Sequence, residues 1–185
     1  MRLLLGVTGG IAAYKAAELV SRATKRGFDV RVVLTGAATE FVGPLTFEAL
    51  TGHRVLSPSS PRAEPEPASS IEHIAWAKWP QIACIAPLTA ATLGRLAAGI
   101  PEDPLSTVWM ALPATVPSIL CPAMNTEMWN HPSVQRNLRW LEETGRYHIV
   151  PPVSKRLACG DIGMGALAEV DDVLEVLVRE APWPK

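Results

Sequence analysis

The chain has 185 residues, of which 48% are apolar and 19% charged, and its formal net charge is −1. This length and composition are typical of a globular protein with a hydrophobic core, and we expect one domain over residues 1–185. The balanced charge without a basic cluster argues against nucleic acid as a partner. No apolar run approaches the length of a membrane span.

The three cysteines are Cys84, Cys121 and Cys159. Their odd number, without a Cys-x-x-Cys pair or a Cys/His ligand spacing, argues against a disulfide framework and against a metal site. The N-terminus has an apolar stretch but no small-residue cleavage site, so it does not resemble a signal peptide. We therefore expect a cytoplasmic protein.

The N-terminal part predicts a βαβ unit. Residues 3–7 form a continuous apolar run typical of a buried strand, and residues 11–26 have helical periodicity. Gly27 is predicted to end this helix, and residues 30–34 form the second strand. The turn at Gly9 and Gly10 leaves backbone N–H groups at the helix start, where a phosphate could bind. The pattern is not the dinucleotide fingerprint, so a mononucleotide site and a plain tight turn both remain open.

The next predicted elements are short. Thr35 ends the second strand at the same edge and could serve the phosphate. Phe41 is predicted in a following short helix, either as core or as cover for a ring. A helix over residues 44–50 precedes a Pro- and Ser-rich segment, residues 57–70, which we interpret as a mobile surface loop. His73 follows that loop, and although lone histidines are usually structural, it is a candidate base.

The central part predicts two further buried strands, at residues 82–86 and 119–121, ended by Pro87 and Pro122. A loop of small and hydroxyl-bearing residues, 88–92, precedes a helix at 93–98 and another at 104–112. The segment after Pro122 combines Met124 and Asn125 with further large apolar groups. In open α/β sheets, the loops at the carboxyl ends of strands bind ligands, which makes this loop a candidate site.

The C-terminal part predicts a helix at residues 133–143, a last strand at 147–150 and a helix at 171–180. Residues 154–169 lie between these two elements and contain several glycines, two cations, a thiol and an Asp. We interpret this segment as a flexible flap rather than a helix.

Four motifs follow one another along the chain: Gly-Val-Thr-Gly-Gly-Ile-Ala-Ala-Tyr-Lys at 6–15, the isolated His73, Pro-Ala-Met-Asn-Thr-Glu-Met-Trp at 122–129 and Ala-Cys-Gly-Asp at 158–161. With these motifs the chain resembles the flavin-containing cysteine decarboxylase family, and within it the phosphopantothenoylcysteine decarboxylases, over nearly its whole length. Residues 165–169 resemble the stand-alone members more than the bifunctional ones.

The resemblance implies a fold, an assembly and a reaction. The fold is a flavodoxin-like, Rossmann-like three-layer α/β sandwich with a parallel sheet, assembled as a homotrimer or homododecamer with FMN at the subunit interfaces. The reaction is the FMN-dependent conversion of 4′-phosphopantothenoylcysteine to 4′-phosphopantetheine in coenzyme A biosynthesis. It proceeds by thiol oxidation, loss of CO2 and reduction of the enethiol.

The resemblance also implies residue roles. His73 matches the catalytic base, which reaches a neighbouring subunit's flavin, and Cys159 matches the proton donor on the flap. Asn125 matches the residue that holds the substrate carboxylate. Further substrate contacts are expected at Met124, Lys155, Arg156, Ala158 and Gly160, with the two cations near the phosphate. The FMN contacts are expected at Gly9, Gly10, Ile11, Thr35, Phe41, Thr89, Ala90, Ala91, Thr92 and Ala123.

The sequence departs from the family pattern at Ala91, where the family normally has Asn or Asp, so a side-chain contact near the flavin is missing. Two other functions stay open. A peptidyl-cysteine decarboxylase shares the flavin, the His and the Asn, but it typically lacks the element that contains Cys159. A non-catalytic regulatory flavoprotein of this family carries long acidic extensions, which this sequence does not show.

Overall fold

A computed structural model describes the chain over residues 1–60, 71–156 and 162–183. The strands within these ranges are β1 (Arg2–Val7), β2 (Asp29–Leu34), β3 (Ile82–Leu88), β4 (Ser118–Pro122), β5 (Tyr147–Ile149), β6 (Val153–Arg156) and β7 (Ile162–Ala166). The helices are α1 (Ala13–Lys25), α2 (Gly36–Thr39), α3 (Pro44–Thr51), α4 (Glu72–Lys78), α5 (Ala90–Ala98), α6 (Pro104–Met110), α7 (Thr126–Asn130), α8 (Pro132–Glu143) and α9 (Val170–Glu180).

The main sheet is parallel and has the strand order β2-β1-β3-β4-β5. This is the doubly wound order 2-1-3-4-5, so the fold is flavodoxin-like, as the sequence predicted. Every residue of β3 is buried, which explains why this strand is a continuous apolar run rather than an alternating one. The order reverses between β1 and β3, and the connections from these two strands leave the sheet on opposite sides.

Helices cover both faces of this sheet. One core cluster joins β1 residues such as Leu3 and Leu5 to the buried faces of α1, α3 and α9. The other joins Leu4, on the opposite face of the same strand, to α4, α5, α6 and α8. The three-layer sandwich that the sequence predicted is therefore confirmed, because alternate side chains of one strand enter different cores.

Helix boundaries follow ordinary local chemistry. Gly27 lies directly after the C-cap of α1 with φ of 87°, a conformation that favours glycine, so the predicted helix end is confirmed. Asp103 caps α6 in a capping box, since its carboxylate accepts from Ser106 N at 2.8 Å while Asp103 N donates to Ser106 Oγ at 3.0 Å. Pro104 is the first residue of that helix, where a missing N–H costs nothing.

Several predicted boundaries were wrong. β3 and β4 continue through Pro87 and Pro122, because the β3–β4 register shifts after Ile85 and the pairing resumes at Leu88 with Pro122. Helices α4 and α7 were not predicted, since both are too short to show periodicity. The strand at 147–150 is not the last, as β6 and β7 form an antiparallel hairpin after it.

The structure also bears on the predictions for Phe41 and for the segment 57–70. α2 ends at Thr39, so Phe41 lies after this helix and not inside it, and at 50% exposure it is not a core residue. At the start of the predicted mobile loop, Ser57 is buried and its N–H donates to Ser60 Oγ at 2.9 Å. Residues 61–70 lie outside the described residues, so the mobility of 57–70 stays a prediction.

Across the described ranges, the structure contains no helix that is long and apolar enough to cross a membrane. The same residues form no cluster of three or more His, Cys, Asp or Glu side chains that could bind a metal ion.

Candidate functional site

A large cavity of about 900 Å3 opens at the carboxyl ends of β1 and β3. This is the point where the strand order reverses, which is where open α/β sheets bind ligands. Its walls are formed by the loops after four strands and by the β6–β7 hairpin. The lining includes residues 9–12, 35–37, 89–92, 123–125 and 165–167, together with Tyr14, Lys15, Pro87, Arg95, Asp103, Met128 and Lys155.

The hydroxyl of Thr8 connects the two central loops of this cavity. Thr8 is fully buried, and its Oγ1 donates to Pro87 O at 2.8 Å and accepts from Thr89 N at 2.9 Å. These bonds satisfy a carbonyl and an N–H that the parallel ladder leaves unpaired where β3 ends. The loop after β1 and the loop after β3 are therefore held side by side.

The turn after β1 is shaped by Gly9 and Gly10. A Cβ on Gly9 would overlap Ala37 Cβ and lie 2.6 Å from Ala37 C, so the first turn of α2 approaches this turn too closely for any side chain. A Cβ on Gly10 would meet only Thr89 Cγ2, at 3.6 Å, which is ordinary contact. Neither glycine has a positive φ, so close approach is the constraint at Gly9.

The loop after β2 lies against this turn. Thr35 is the N-cap of α2, and its Oγ1 accepts from Ala38 N at 3.3 Å, while Thr35 N donates to Val7 O at 3.1 Å. The Thr35 side chain is therefore fixed at the cavity wall. On the opposite wall Thr92 is buried, whereas Ala91 is exposed and lines the cavity.

The loop after β4 places Asn125 on the cavity wall. Asn125 is the N-cap of α7, and its Oδ1 accepts from Met128 N at 2.9 Å. Because the side-chain oxygen is used by this cap, the NH2 group is the end that can donate to a ligand. The sequence predicted the position of Asn125 but not the helix that orients its amide.

The β6–β7 hairpin packs directly on the Asn125 loop. Met124 N donates to Gly165 O at 2.9 Å, and Gly165 has φ of 138° with no room for a Cβ against Met124 O. A Cβ on Gly163 would likewise collide with the Thr126 side chain. The glycines of the predicted flap thus permit backbone contact with the loop that carries Asn125.

Among the residues that the structure describes, the cations that line the cavity are Lys15, Arg95 and Lys155. Lys155 forms an ion pair with Glu169, and the hydrogen bond from Lys155 lowers the pKa of that carboxyl from its ordinary value. Since the pKa is lowered, this contribution to stability is present above the ordinary pKa of Glu and is lost as the pH falls through the lowered one. Arg95 Nε donates to Glu102 Oε2 at 2.8 Å.

The structure brings most of the predicted site residues together. Those that line the cavity are Gly9, Gly10, Ile11, Thr35, Thr89, Ala90, Ala91, Thr92, Ala123, Met124, Asn125 and Lys155. Phe41 and His73 do not line the cavity of the single chain. His73 is half-buried in the first turn of α4. Ala158, Cys159 and Gly160, as well as the side chain of Arg156, lie outside the described residues.

Sequence reasoning missed Tyr14, Lys15 and Arg95. Tyr14 is 60% exposed at the start of α1, and Arg95 lies on α5 beside the acidic Glu102 and Asp103. Only their position in the fold could have predicted them, because residues in the first two turns of the helices after β1 and β3 lie beside the same crevice. Nothing in the local sequence distinguished them from solvent-exposed helix residues.

Comparison with known proteins assigns the family. The family model described as Flavoprotein matches residues 1–181. The chain belongs to the flavoprotein family. The sequence is also 42% identical, over 97% of this chain and 98% of the other, to a probable phosphopantothenoylcysteine decarboxylase of Streptococcus mutans. It is 41% identical to the coenzyme A biosynthesis bifunctional protein CoaBC of Bacillus subtilis, over 94% of this chain but only 41% of that protein.

Solved structures of flavoproteins have the same fold. A cysteine-to-serine mutant of a PPC decarboxylase, complexed with pantothenoylaminoethenethiol, matches with a TM-score of 0.82 and 32% identity over 96% of each chain. The FMN binding protein AtHal3 matches with a TM-score of 0.81 and 33% identity, over 96% of this chain and 95% of that one. The FMN-dependent cysteine decarboxylase SpaF matches with a TM-score of 0.79 and 29% identity, over 97% and 96%.

The neighbouring glycines of the first turn provide a test of the cavity's packing. We expect Gly9→Ala to lower the free energy of unfolding by about 1–3 kcal/mol, because the added methyl group overlaps backbone atoms of Ala37. Gly10→Ala is the matched control and should change it by less than about 0.5 kcal/mol. Urea unfolding measures both, and equal effects of the two substitutions would show that the close approach at Gly9 is not a constraint.

Proposed function

We propose that this flavoprotein binds FMN in the cavity and decarboxylates 4′-phosphopantothenoylcysteine to 4′-phosphopantetheine, a step of coenzyme A biosynthesis. The main observation in support is that the glycine turn after β1 and the side chain of Asn125 line the same cavity. The turn suits a flavin phosphate, and the amide suits a substrate carboxylate. The similarity to named phosphopantothenoylcysteine decarboxylases supports the choice of substrate.

The residues present fit FMN. The turn at Gly9 and Gly10 lines the cavity at the N-terminal end of α1, which has no side-chain cap, and an uncapped helix start of this kind favours an anion. Thr35 and Thr89 add hydroxyl groups. The small residues Ala90 and Ala91 leave room for a flat ring close to the backbone.

Bound FMN supplies a hydride acceptor for the substrate thiol and later a hydride donor. The substrate needs this chemistry because direct loss of CO2 from an acylated cysteine leaves a carbanion without delocalisation. Oxidation of the thiol to a thioaldehyde places a C=S bond β to the carboxylate, and CO2 then leaves to give an enethiolate. Return of a hydride and a proton reduces this product to the thiol.

Asn125 is proposed to bind the substrate carboxylate. Its Oδ1 is held by Met128 N, so its NH2 group donates to a carboxylate without carrying a charge. A neutral donor orients the carboxylate but does not stabilise it as strongly as an ion pair would. The charge can then disperse as CO2 leaves, which is what a catalyst of this step requires.

His73 is proposed as the base for thiol oxidation, acting in the cavity of a neighbouring subunit. Its absence from the lining of its own cavity supports a shared site. Ile11 and Tyr14 line the cavity and are exposed in the single chain, at 59% and 60%, and Leu45 on α3 is exposed at 75%. We propose that they, together with Phe41, are covered in a trimer-based assembly.

The β6–β7 hairpin is proposed as the substrate flap. Lys155 on this hairpin lines the cavity and would exchange its partner Glu169 for the substrate phosphate, with Arg156 as a second cation. Cys159, between the two strands, is proposed to supply the final proton. The hairpin already contacts Met124 through the Gly165 carbonyl, and with substrate bound this contact would help to exclude water from the reactive enethiol.

The second candidate is a peptidyl-cysteine decarboxylase, and the match to SpaF, an FMN-dependent cysteine decarboxylase, supports the flavin-dependent chemistry that both candidates share. It would use the same flavin and the same amide but would release an enethiol without the final reduction. The two functions therefore differ in their product, and Cys159 is the residue that separates them.

The first test uses purified protein with FMN and 4′-phosphopantothenoylcysteine. The wild type should be yellow and should form CO2 and 4′-phosphopantetheine in equal amounts. The His73→Asn variant should still bind FMN, but its decarboxylation should be at least about 100-fold slower because the catalytic base is missing. His148→Asn, at an exposed position of β5, is the matched control and should keep the wild-type rate. Wild-type-like CO2 release by His73→Asn would remove His73 from the mechanism.

The second test separates the two decarboxylases. Cys159→Ser replaces a thiol of pKa about 8.5 with a far weaker acid, so proton delivery should fail after CO2 has left. The variant should release no more than one CO2 per bound flavin under anaerobic conditions and accumulate an enethiol that absorbs in the near ultraviolet. A wild-type yield of 4′-phosphopantetheine would contradict the role of Cys159, and loss of all CO2 release would place the residue in substrate binding instead.

A further inference from the structure

The helix that carries His73 is short and needs an external support. α4 has seven residues, and its N-cap Ile71 makes no side-chain capping hydrogen bond. Helices of this length are unstable without tertiary contacts. The direction in which His73 points therefore depends on what fixes the first turn of α4.

One face of α4 rests on cations from the adjoining sheet edge. Glu72, Trp76 and Trp79 are spaced by four and three residues and so share this face. The Arg31 guanidinium lies over the Trp79 ring at 4.4 Å from the centroid and over the Trp76 ring at 5.7 Å. Arg54 lies over the Trp76 ring at 5.8 Å and forms an ion pair with Glu72.

The backbone next to Arg54 is held in place by hydrogen bonds. The segment that follows it pairs with β2, since Leu56 N donates to Val32 O at 3.0 Å and Leu34 N donates to Leu56 O at 2.8 Å. Val55 N donates to Glu48 Oε1 at 3.2 Å, which ties the same segment to α3. Arg54 thus connects the main sheet to the first turn of α4.

We infer that Arg54 is a positioning residue for His73, acting through Glu72 and the Trp76 ring. Glu72 directly precedes His73, so an ion pair that fixes the Glu72 side chain also fixes the rotation of the helix turn that presents the imidazole. Among the described lining residues of the cavity, neither Arg54 nor Glu72 occurs. Since the ion pair and the ring contact both lie on the helix that carries His73, we expect their effect on the base rather than on substrate affinity. This inference rests on the proposed role of His73.

The geometry predicts a specific kinetic pattern. Arg54→Gln in the FMN-bound enzyme should lower kcat and the single-turnover rate of flavin reduction about ten-fold, since small displacements of a catalytic group cost this much. The KM for 4′-phosphopantothenoylcysteine should stay within about two-fold, because the cavity is unchanged. Arg54→Lys, which keeps the charge toward Glu72, should restore at least half of the wild-type rate.

A double-substitution cycle tests whether the pair acts as a unit. Glu72→Gln should lower kcat as Arg54→Gln does, and the loss in the double variant should be clearly smaller than the product of the two single losses. Arg22→Gln is the matched control, because Arg22 has the same 34% side-chain exposure as Arg54 and pairs with Glu18 and Asp171 on α1 and α9. It should leave kcat and KM unchanged.

The possible outcomes distinguish a failure of the positioning role of Arg54 from a failure of the proposed decarboxylase function. Rates for Arg54→Gln equal to those for Arg22→Gln, a raised KM at constant kcat, or multiplied losses in the double variant would each overturn the positioning role. If Arg54→Gln does not fold, an inactive Arg54→Lys in folded form would overturn it as well. Failure of the wild type to reduce its flavin with substrate would instead overturn the proposed function.

Discussion

The site depends on one buried hydroxyl. Thr8 lies at the end of β1, and its Oγ1 bonds both the carbonyl of Pro87 and the N–H of Thr89. A parallel sheet ends in loops that diverge to opposite sides at the switch point, and this side chain holds two of them together. The loop after β1 and the loop after β3, which both line the cavity, therefore have fixed relative positions before any ligand binds.

The remaining site residues are arranged around that floor by backbone contacts. Gly9 admits Ala37 of α2, and Gly165 admits the carbonyl of Met124, so neighbouring segments pack closely where a side chain at either glycine would not fit. Close backbone packing of this kind explains why a cavity of about 900 Å3 is lined largely by small residues. It leaves the functional groups to a few side chains, chiefly Asn125 and the three cations.

The sequence predicted the parallel sheet well, because the runs at 3–7 and 82–86 are continuously apolar and short, as is typical of strands buried on both faces. It predicted the position of Asn125 for the same reason, as a polar residue just after a buried strand. It could not predict α4, which is too short to show periodicity and is held by contacts with distant positions, namely the core packing of Trp76 and Ala77 and the ion pair of Glu72 with Arg54. The hairpin was missed because its glycines serve contacts with another loop, which local propensity does not reveal.

The most direct test of the account is the FMN dissociation constant of Thr8→Val, measured by flavin fluorescence. Valine keeps the shape of the side chain but leaves the Pro87 carbonyl and the Thr89 N–H unpaired, a loss of about 1–3 kcal/mol that corresponds to about 5–150-fold in an equilibrium. We expect FMN binding at least about ten-fold weaker in a folded protein, with Thr24→Val in α1 unchanged. An unaltered dissociation constant would contradict the claim that this hydroxyl organises the site.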